Sequence, residues 1–492
     1  MKNENQPYWR NSVTLLDFPV LTNDLTTEVA IVGAGMAGIL TAYQLAKQGK
    51  KVTVIEARKV LEGTTAHTTA KLTVQHFAPY QQLIKEHGLE KTKKYYQSQK
   101  DALSLMRALK EEYQIEADFE DMSNFLLTAG EMEEFLKDEL EAHRQIGIPS
   151  QYLEGDQGMP FKTTGALEIT DQAQYNPLKF LSKMIEVCRN LGVEFYEQSP
   201  VKNIEENHLL TDTNVKVSFD KAVVTTLYPA IIHGEHFKQL QVERAYIISI
   251  KNTQELPFGM FQYVDEPMVS IRHFHKEDGV EVILAGANHL AGGKAHPKES
   301  YEALENIAKD MFHTTDVTGR WSAQDVNTED LVPYIGRYTD NIYIATGFNK
   351  FGMLFSALTS LVLPDLIAGK DNPYQDLLDP HRKLSLKENI KGKLTEIINT
   401  AKSETMSLKD ITAFSNPNEQ TTITREDGQL ISIYKENGKE YRLKATCSYS
   451  GHLLSYNDAE QSWDCPHDGS RFDRYGNVLD GPAIDSIIIS SK

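Results

Sequence analysis

The chain has 492 residues, too long for one ordinary domain, and about two to four are expected. Its residues are 40% hydrophobic and 9% aromatic, enough for large buried cores and against global disorder. A formal net charge of −18 speaks against nucleic acid or an anionic membrane surface as a partner.

The opening residues Met1-Lys2-Asn3-Glu4-Asn5 are polar and lack the cationic and apolar regions of a secretory leader. A first apolar strand covers 28–32, followed by Gly33-Ala34-Gly35-Met36-Ala37-Gly38 and a helical pattern that stops at Gly49. The next strand, 51–55, ends at Glu56 and completes a β–turn–helix–β unit. Amphipathic helices are predicted over 80–113 and 131–147, and a further helix over 176–191 leads into a strand at 193–196. Two strands at 216–219 and 222–226 close this half. Alternation over 245–250, 268–274 and 280–285 predicts an antiparallel sheet as a separate layer. Gly286-Ala287-Asn288-His289 reads as a β-turn. A strand at 341–346 enters a loop at Gly347 and a buried helix over 355–368. The apolar run from Phe348 to Ala368 is broken by Lys350, Pro364 and Asp365, so it is not read as a membrane span. Residues 386–402 form a charged connector helix, and beyond about 405 short strands and Gly/Asn/Asp turns indicate a small all-β module. Three cysteines, Cys188, Cys447 and Cys465, cannot build a disulfide framework, which fits a reducing, cytoplasmic setting.

Gly33, Gly35 and Gly38 follow a strand and open a helix, and Glu56 ends the next strand about 20 residues on, as a dinucleotide fingerprint requires. Gly33 permits the tight turn, Gly35 the approach of a pyrophosphate, and Gly38 close packing of helix on strand. The helix N-terminus offers N–H groups to the diphosphate, and Glu56 accepts from a ribose diol, favouring FAD or NAD over NADP. No second such fingerprint follows a strand, so a separate NAD(P) domain is not expected.

Several further residues carry a resemblance. They are the loop Gly63-Thr64-Thr65-Ala66-His67-Thr68-Thr69-Ala70-Lys71, Trp321, Asp330-x-x-Pro333-Tyr334-Ile335-Gly336, and Ile344-Ala345-Thr346-Gly347 with Gly352-Met353. With the fingerprint, they make residues 28–382 resemble the glycine oxidase/D-amino-acid oxidase (DAO) family of FAD-dependent oxidoreductases. That resemblance implies an α/β fold, a doubly wound FAD-binding domain paired with an antiparallel substrate domain. It implies that Met36 and Ala37 belong to the diphosphate turn, and that Thr64, Thr65, Thr69, Ala70 and Lys71 lie along diphosphate and flavin. By the same resemblance Val201 meets the adenine, and Gly347, Gly352 and Met353 approach the pyrimidine edge of the flavin. A glycine-led helix start aimed there would stabilise the negative charge of a reduced ring.

Flavin chemistry needs few protein acids or bases. His67 and His76 either face the ring or hold the scaffold, and Arg272 either clamps a substrate carboxylate or is structural. Trp321-Ser322-Ala323-Gln324-Asp325 departs from the family where amino-acid oxidases of this fold often place a substrate-binding arginine, against a simple amino-acid substrate.

Near the end stand Cys447-Ser448-Tyr449-Ser450-Gly451-His452 and Cys465-Pro466-His467-Asp468-Gly469-Ser470. Together with Trp463, Phe472, Gly476, Gly481 and Pro482 they resemble the ligand loops and second half of a Rieske domain, whose [2Fe–2S] centre uses two thiolates and two imidazoles. Cys447 and Cys465 occupy thiolate positions, but Tyr449 and Asp468 stand where the imidazoles belong. His452 and His467 stand where many Rieske domains carry a loop-clamping disulfide. Three outcomes stay open: a rearranged [2Fe–2S] centre drawing in the two histidines, a zinc site, or a module without metal.

The expected organisation is an oxidoreductase over 1–382, with FAD-binding parts at about 26–80, 176–230 and 330–382. A helical linker covers 383–404 and a Rieske-like all-β domain 405–492. The expected activity is oxidation of a small amine, amino acid or hydroxy compound by hydride transfer to FAD. Electrons would pass to oxygen, a partner protein or a rearranged cluster. The alternative is a non-turnover flavoprotein whose module is a binding or assembly surface.

Overall fold

In the computed structural model, residues 6–229, 231–232, 240–252, 254–276, 279–292, 297–383 and 420–491 are described. The connector helix predicted at 386–402 lies outside them.

Strands apolar on both faces can be covered by helices on both sides, and they form the first sheet. Val29–Val32 of the strand Leu25–Val32 pair in parallel with Val52–Ile55 on one side and with Lys216–Val224 on the other. Glu194–Tyr196 and Ile342–Thr346 extend the parallel array, and Tyr334–Arg337 closes one edge antiparallel. Met36–Lys47 packs against Gly352–Ile367 and Pro177–Asn190, and almost all of its side chains are buried. Asn176 caps the last of these, its side chain accepting from the Lys179 N–H at 3.2 Å with Pro177 at the first helical position. Among the described residues no helix is long and apolar enough to cross a membrane.

The second sheet has nine strands and is antiparallel except where Met260–Tyr263 lies parallel to Glu120–Thr128. At one edge run Val317–Asn327, Gln241–Asn252 and Gly279–Leu290.

Several elements differ from expectation. The helix read over 80–113 breaks at Gly88, whose φ of +79° separates Tyr80–His87 from Leu89–Glu112. The two strands read at 216–226 are one, Lys216–Val224. Gly286 to His289 is not a turn but part of Gly279–Leu290, bulged where Ala287, at φ +50°, and Asn288 together stand against Ala245 of the facing strand. The helix expected from 355 begins at Gly352.

The C-terminal module is two four-stranded antiparallel sheets. One holds Thr421–Glu426, Gln429–Glu436, Lys439–Lys444 and Ile488–Ser491; the other holds Ser455–Asn457, Ser462–Asp464, Arg471–Asp473 and Val478–Asp480. Tyr434, Tyr456, Trp463 and Phe472 fill its core.

A buried charge cluster fastens this module to the second sheet. Arg244, 2% exposed on Gln241–Asn252, faces Glu460 Oε2 and Asp464 Oδ2, each at 3.5 Å. Arg471 of the module reaches the same two carboxylates, at 2.5 Å to Glu460 and 3.2 Å to Asp464. Desolvation alone would push the Asp464 carboxyl up, but Arg471 and Arg244 outweigh it and hold it below its ordinary value. Its stabilising charge is therefore present at neutral pH and is lost only as pH falls through that depressed value.

Arg244→Ala would leave the buried Asp464 and the partly buried Glu460 with one cation, a change expected to cost about 3 kcal/mol. Denaturant unfolding followed at the buried Trp463 checks this, and an unshifted transition would exclude the cluster as a fastener.

Candidate functional site

The fingerprint turn opens a cavity of about 370 Å³ between the two sheets. Gly33, Gly35, Met36 and Ala37 line it, with Glu56 at the end of the adjacent strand. Gly33 adopts φ +107°, and Thr225 Oγ1 donates to the carbonyls of Val32 or Gly33, both at 3.1 Å, holding the turn. Gly38 does not line the cavity. A Cβ there would run into the Gly33 carbonyl, so its role is close packing. Glu56 is oriented by accepting from Ala34 N–H at 2.8 Å and Arg58 N–H at 2.9 Å. Gly35 has no side chain to cap the Met36–Lys47 helix; Thr65 Oγ1 accepts from the Met36 N–H at 3.2 Å, and the first turn faces the cavity with the positive end of its dipole. Thr64, Thr65, Val201, Gly347, Gly352 and Met353 also line it, from other segments of the chain. These features fit a dinucleotide diphosphate and its ribose, and so fit FAD.

A second cavity of about 580 Å³ adjoins the first and shares Thr64, Asp325, Asn349, Gly352 and Met353 with it. Thr69, Lys71, His67 and His76 line this chamber; Ala70, fully buried at φ +57°, lines neither cavity. Between Gly347 and Gly352 the chain bends sharply, with Gly347 at φ +74°, Asn349 at +50° and Lys350 at +71°. A side chain at Gly347 would press Thr328, while Asn349 holds the bend by accepting from Thr328 N–H at 2.8 Å.

His67 contacts the Gly63 carbonyl through Nδ1 at 3.0 Å, and burial lowers its pKa. His76 stacks on Phe351 with ring centres 4.2 Å apart, and its Nδ1 lies 2.7 Å from the Tyr95 hydroxyl. Burial pushes its pKa down to about 3, so the imidazole is neutral at physiological pH. Arg272 lines neither cavity and does not clamp a substrate. It donates to Gln174 Oε1 and to the carbonyls of Thr69 and Tyr175, and it stacks on Trp9, bracing the scaffold behind the flavin loop.

Four charged side chains line the chamber: Lys71, expected beside the flavin, and Glu243, Asp325 and Lys350, which were not singled out as site candidates from the sequence. Glu243 and Asp325 are direct cross-strand partners, and Lys350 Nζ lies 2.5 Å from Glu243. Burial, against the pull of Lys350, pushes the Asp325 carboxyl up to about 6. No local signal in the sequence joins the two acids, which meet only through the register of their strands. Lys71 donates to the Phe261 carbonyl at 2.6 Å; burial first, then Arg272, bring its amine down to about 7.

Also absent from the sequence-based set is the first cavity's outer wall, where Val478 and residues 480–484 of the C-terminal module stand. Arg58 donates to the Leu479 carbonyl at 3.1 Å and pairs with Asp480.

In the module, the two cysteine boxes fold as matching knuckles. Cys447 N–H donates to the His452 carbonyl and Cys465 N–H to the Ser470 carbonyl, with Gly451 and Gly469 both at φ +74°. Both thiols and Asp468 are buried together, their ligand atoms within 4.8 Å of one another. Asp468 Oδ2 lies 3.1 Å from Cys465 Sγ and 3.5 Å from Cys447 Sγ. Cys447 is the more acidic thiol because Cys465 hydrogen-bonds to it, while burial and that neighbour push Cys465 up. Tyr449 is 39% exposed, and the rings of His452 and His467 stack on each other at 4.1 Å. Among the described residues this set of two thiols and one carboxylate lacks the two imidazoles of a Rieske centre, and the fit to that cluster fails.

Comparison with known proteins places these features. A sequence profile of the DAO family, described as FAD dependent oxidoreductase, matches residues 28–366. A protein of Bacillus subtilis (strain 168), named as a Rieske 2Fe-2S iron-sulfur protein, YhfW, is 32% identical over 98% of this chain and 97% of its own length. Among solved structures, glycine oxidase from Geobacillus kaustophilus superposes with a TM-score of 0.60 at 20% identity, covering 73% of this chain and all of that one. L-Proline dehydrogenase from P. horikoshii gives a TM-score of 0.60 at 18% identity, over 74% of this chain and 98% of the other.

Lys71 yields a pH prediction. Its amine binds fewer protons in the folded state than in the unfolded one between about pH 7 and its ordinary range near 10.5, so its effect on stability becomes more favourable as pH rises through that window. Replacing it, Lys71→Met, should therefore help most below pH 7 and progressively less above it. Unfolding free energies of both proteins across that range check the sign.

Proposed function

Because the chain belongs to the DAO family of FAD-dependent oxidoreductases, we propose that it oxidises a small substrate bearing a basic amine, in the chamber beside the cradle. The carrying observation is the acid pair Glu243 and Asp325, opposite each other on neighbouring strands and lining that chamber. Two carboxylates attract an ammonium group, and no arginine among the described lining residues offers a carboxylate clamp. Plain α-amino acids and hydroxy acids are the less favoured members of the family's substrate range here.

FAD, when bound, supplies the hydride acceptor. The chain's own residues handle the proton and the orientation. Asp325, with its carboxyl near 6, is ionised at neutral pH and is the base placed to receive the ammonium proton as the hydride leaves, so that the nitrogen lone pair assists C–H cleavage. Lys350 holds Glu243 in place, and neutral His76 stacked on Phe351 walls the chamber without competing for that proton. We place the protein in a reducing, cytoplasmic compartment, where its three free cysteines persist.

Electrons then leave to oxygen or to an acceptor protein. A second reading, in which the C-terminal module relays them through a cluster, rests on the Rieske name of the Bacillus subtilis relative. Iron, sulfide and zinc analysis of protein purified without air decides between them: two iron and two sulfide per chain would establish the relay centre. Their absence removes it.

Anaerobic bleaching of the flavin by a panel of amines, amino acids and hydroxy acids tests the substrate class, and amines should bleach it fastest. With such an amine, reduction should accelerate as pH rises through about 6. Asp325→Asn is expected to slow it by about a hundredfold to ten-thousandfold and abolish that acid limb. A variant with wild-type rate and profile would remove Asp325 from the chemistry.

A further inference from the structure

We propose that the C-terminal module is a working part of the FAD site, its 478–484 segment closing the adenosine side of the cradle and holding the cofactor in. The inference rests on the first cavity being the FAD cradle. It assigns to the module a binding role that needs no metal.

Three observations carry it. Val478 and residues 480–484 line the same cavity as Gly33, Gly35 and Glu56, so a dinucleotide seated there would have this segment as a wall. The wall is latched at that end of the cradle. Arg58, two residues beyond Glu56, donates to the Leu479 carbonyl and pairs with Asp480, whose carboxyl Arg58 and Arg471 hold well below its ordinary range against desolvation. Finally, the wall cannot swing away alone. Gly481, at φ +90°, lies so near the second cysteine box that a Cβ there would meet Ser470 Cα at 2.5 Å, and Ala483 N–H donates to Ser470 Oγ at 3.0 Å. The box itself is docked on the second sheet, where the Gly469 carbonyl accepts from Gln324 Nε2 at 3.0 Å and Gln324 also lines the cavity.

A cofactor leaving past this wall must therefore break the Arg58 latch or lift the module from the sheet. This gives the second box a use independent of its altered ligands: its knuckle is the platform on which the wall rests.

Full-length, FAD-loaded protein provides the test. Asp480→Ala should release FAD about threefold to tenfold faster than wild type, the range expected for losing one partly exposed charge-assisted contact, when flavin fluorescence is followed after dilution. In the unmutated chain, amide exchange over 478–484 should slow on FAD loading, a readout that does not depend on any variant folding. Unchanged release together with unchanged exchange in a chain that does bind FAD would overturn the proposal. A chain that takes up no FAD would instead overturn the cradle's assignment.

Discussion

Two arginines and two carboxylates share one buried seam, and the place of the whole C-terminal module depends on them. Removing a single ion from water costs several kcal/mol, so a seam of this kind is tolerable only if every charge is matched. Here each carboxylate faces one arginine from either side of the seam, and the cluster is formally neutral. Sliding or rotating the module would leave at least one ion buried and bare. The penalty makes the docking single-valued, and the neighbouring contact from Gln324 to the Gly469 carbonyl then falls at the lip of the FAD cradle.

The electrostatics of the two cavities differ for a reason that follows from this. A chain of net charge −18 must hold a cofactor with a charged diphosphate. The cradle's described lining contains one cation, Arg58, and that guanidinium is engaged by Asp480. Attraction therefore falls to the backbone N–H groups and dipole of the Met36–Lys47 helix, which are fixed by the fold and cannot be titrated away. In the chamber next door the charges are side chains, Glu243, Asp325, Lys350 and Lys71, and two of these have ordinary values displaced toward neutrality by burial. A site that binds uses fixed dipoles. A site that exchanges protons uses groups that can change state.

Local chemistry was readable wherever one segment carries it. The turn from Gly33 to Gly38 declares itself by glycine spacing between strand and helix, and Gly88 was the only local clue that one long amphipathic stretch must be two helices. What could not be read were properties created by pairing. Glu243 and Asp325 are more than eighty positions apart and become one acidic pair only because Gln241–Asn252 and Val317–Asn327 align in a particular register. Arg272 carries the same charge as a substrate clamp would, and only its partners, a glutamine and three backbone carbonyls, show that it is a brace. The wall at 478–484 belongs to the cradle through tertiary docking alone, with no motif of its own.

The cysteine boxes show how a binding loop can keep its shape while its donor set changes. Each knuckle is closed by main-chain bonds from the cysteine N–H five residues forward and from the glycine N–H back to the cysteine carbonyl, and neither bond depends on a metal. Gly451 and Gly469 supply the left-handed turn that these bonds require. The clamp between the loops, which the Rieske resemblance assigns to a disulfide, is here a face-to-face contact of His452 and His467, weaker than a covalent bond but in the same place. Asp468 turns inward and accepts from the Ser470 N–H at 2.7 Å, filling the interior with a carboxylate where the cluster would need an imidazole. Main-chain bonds and the Asp468 contact thus give each loop a shape of its own. The second loop's outer contacts, with Gln324 on the second sheet and with Ala483 in the FAD wall, give its shape a use that needs no cluster.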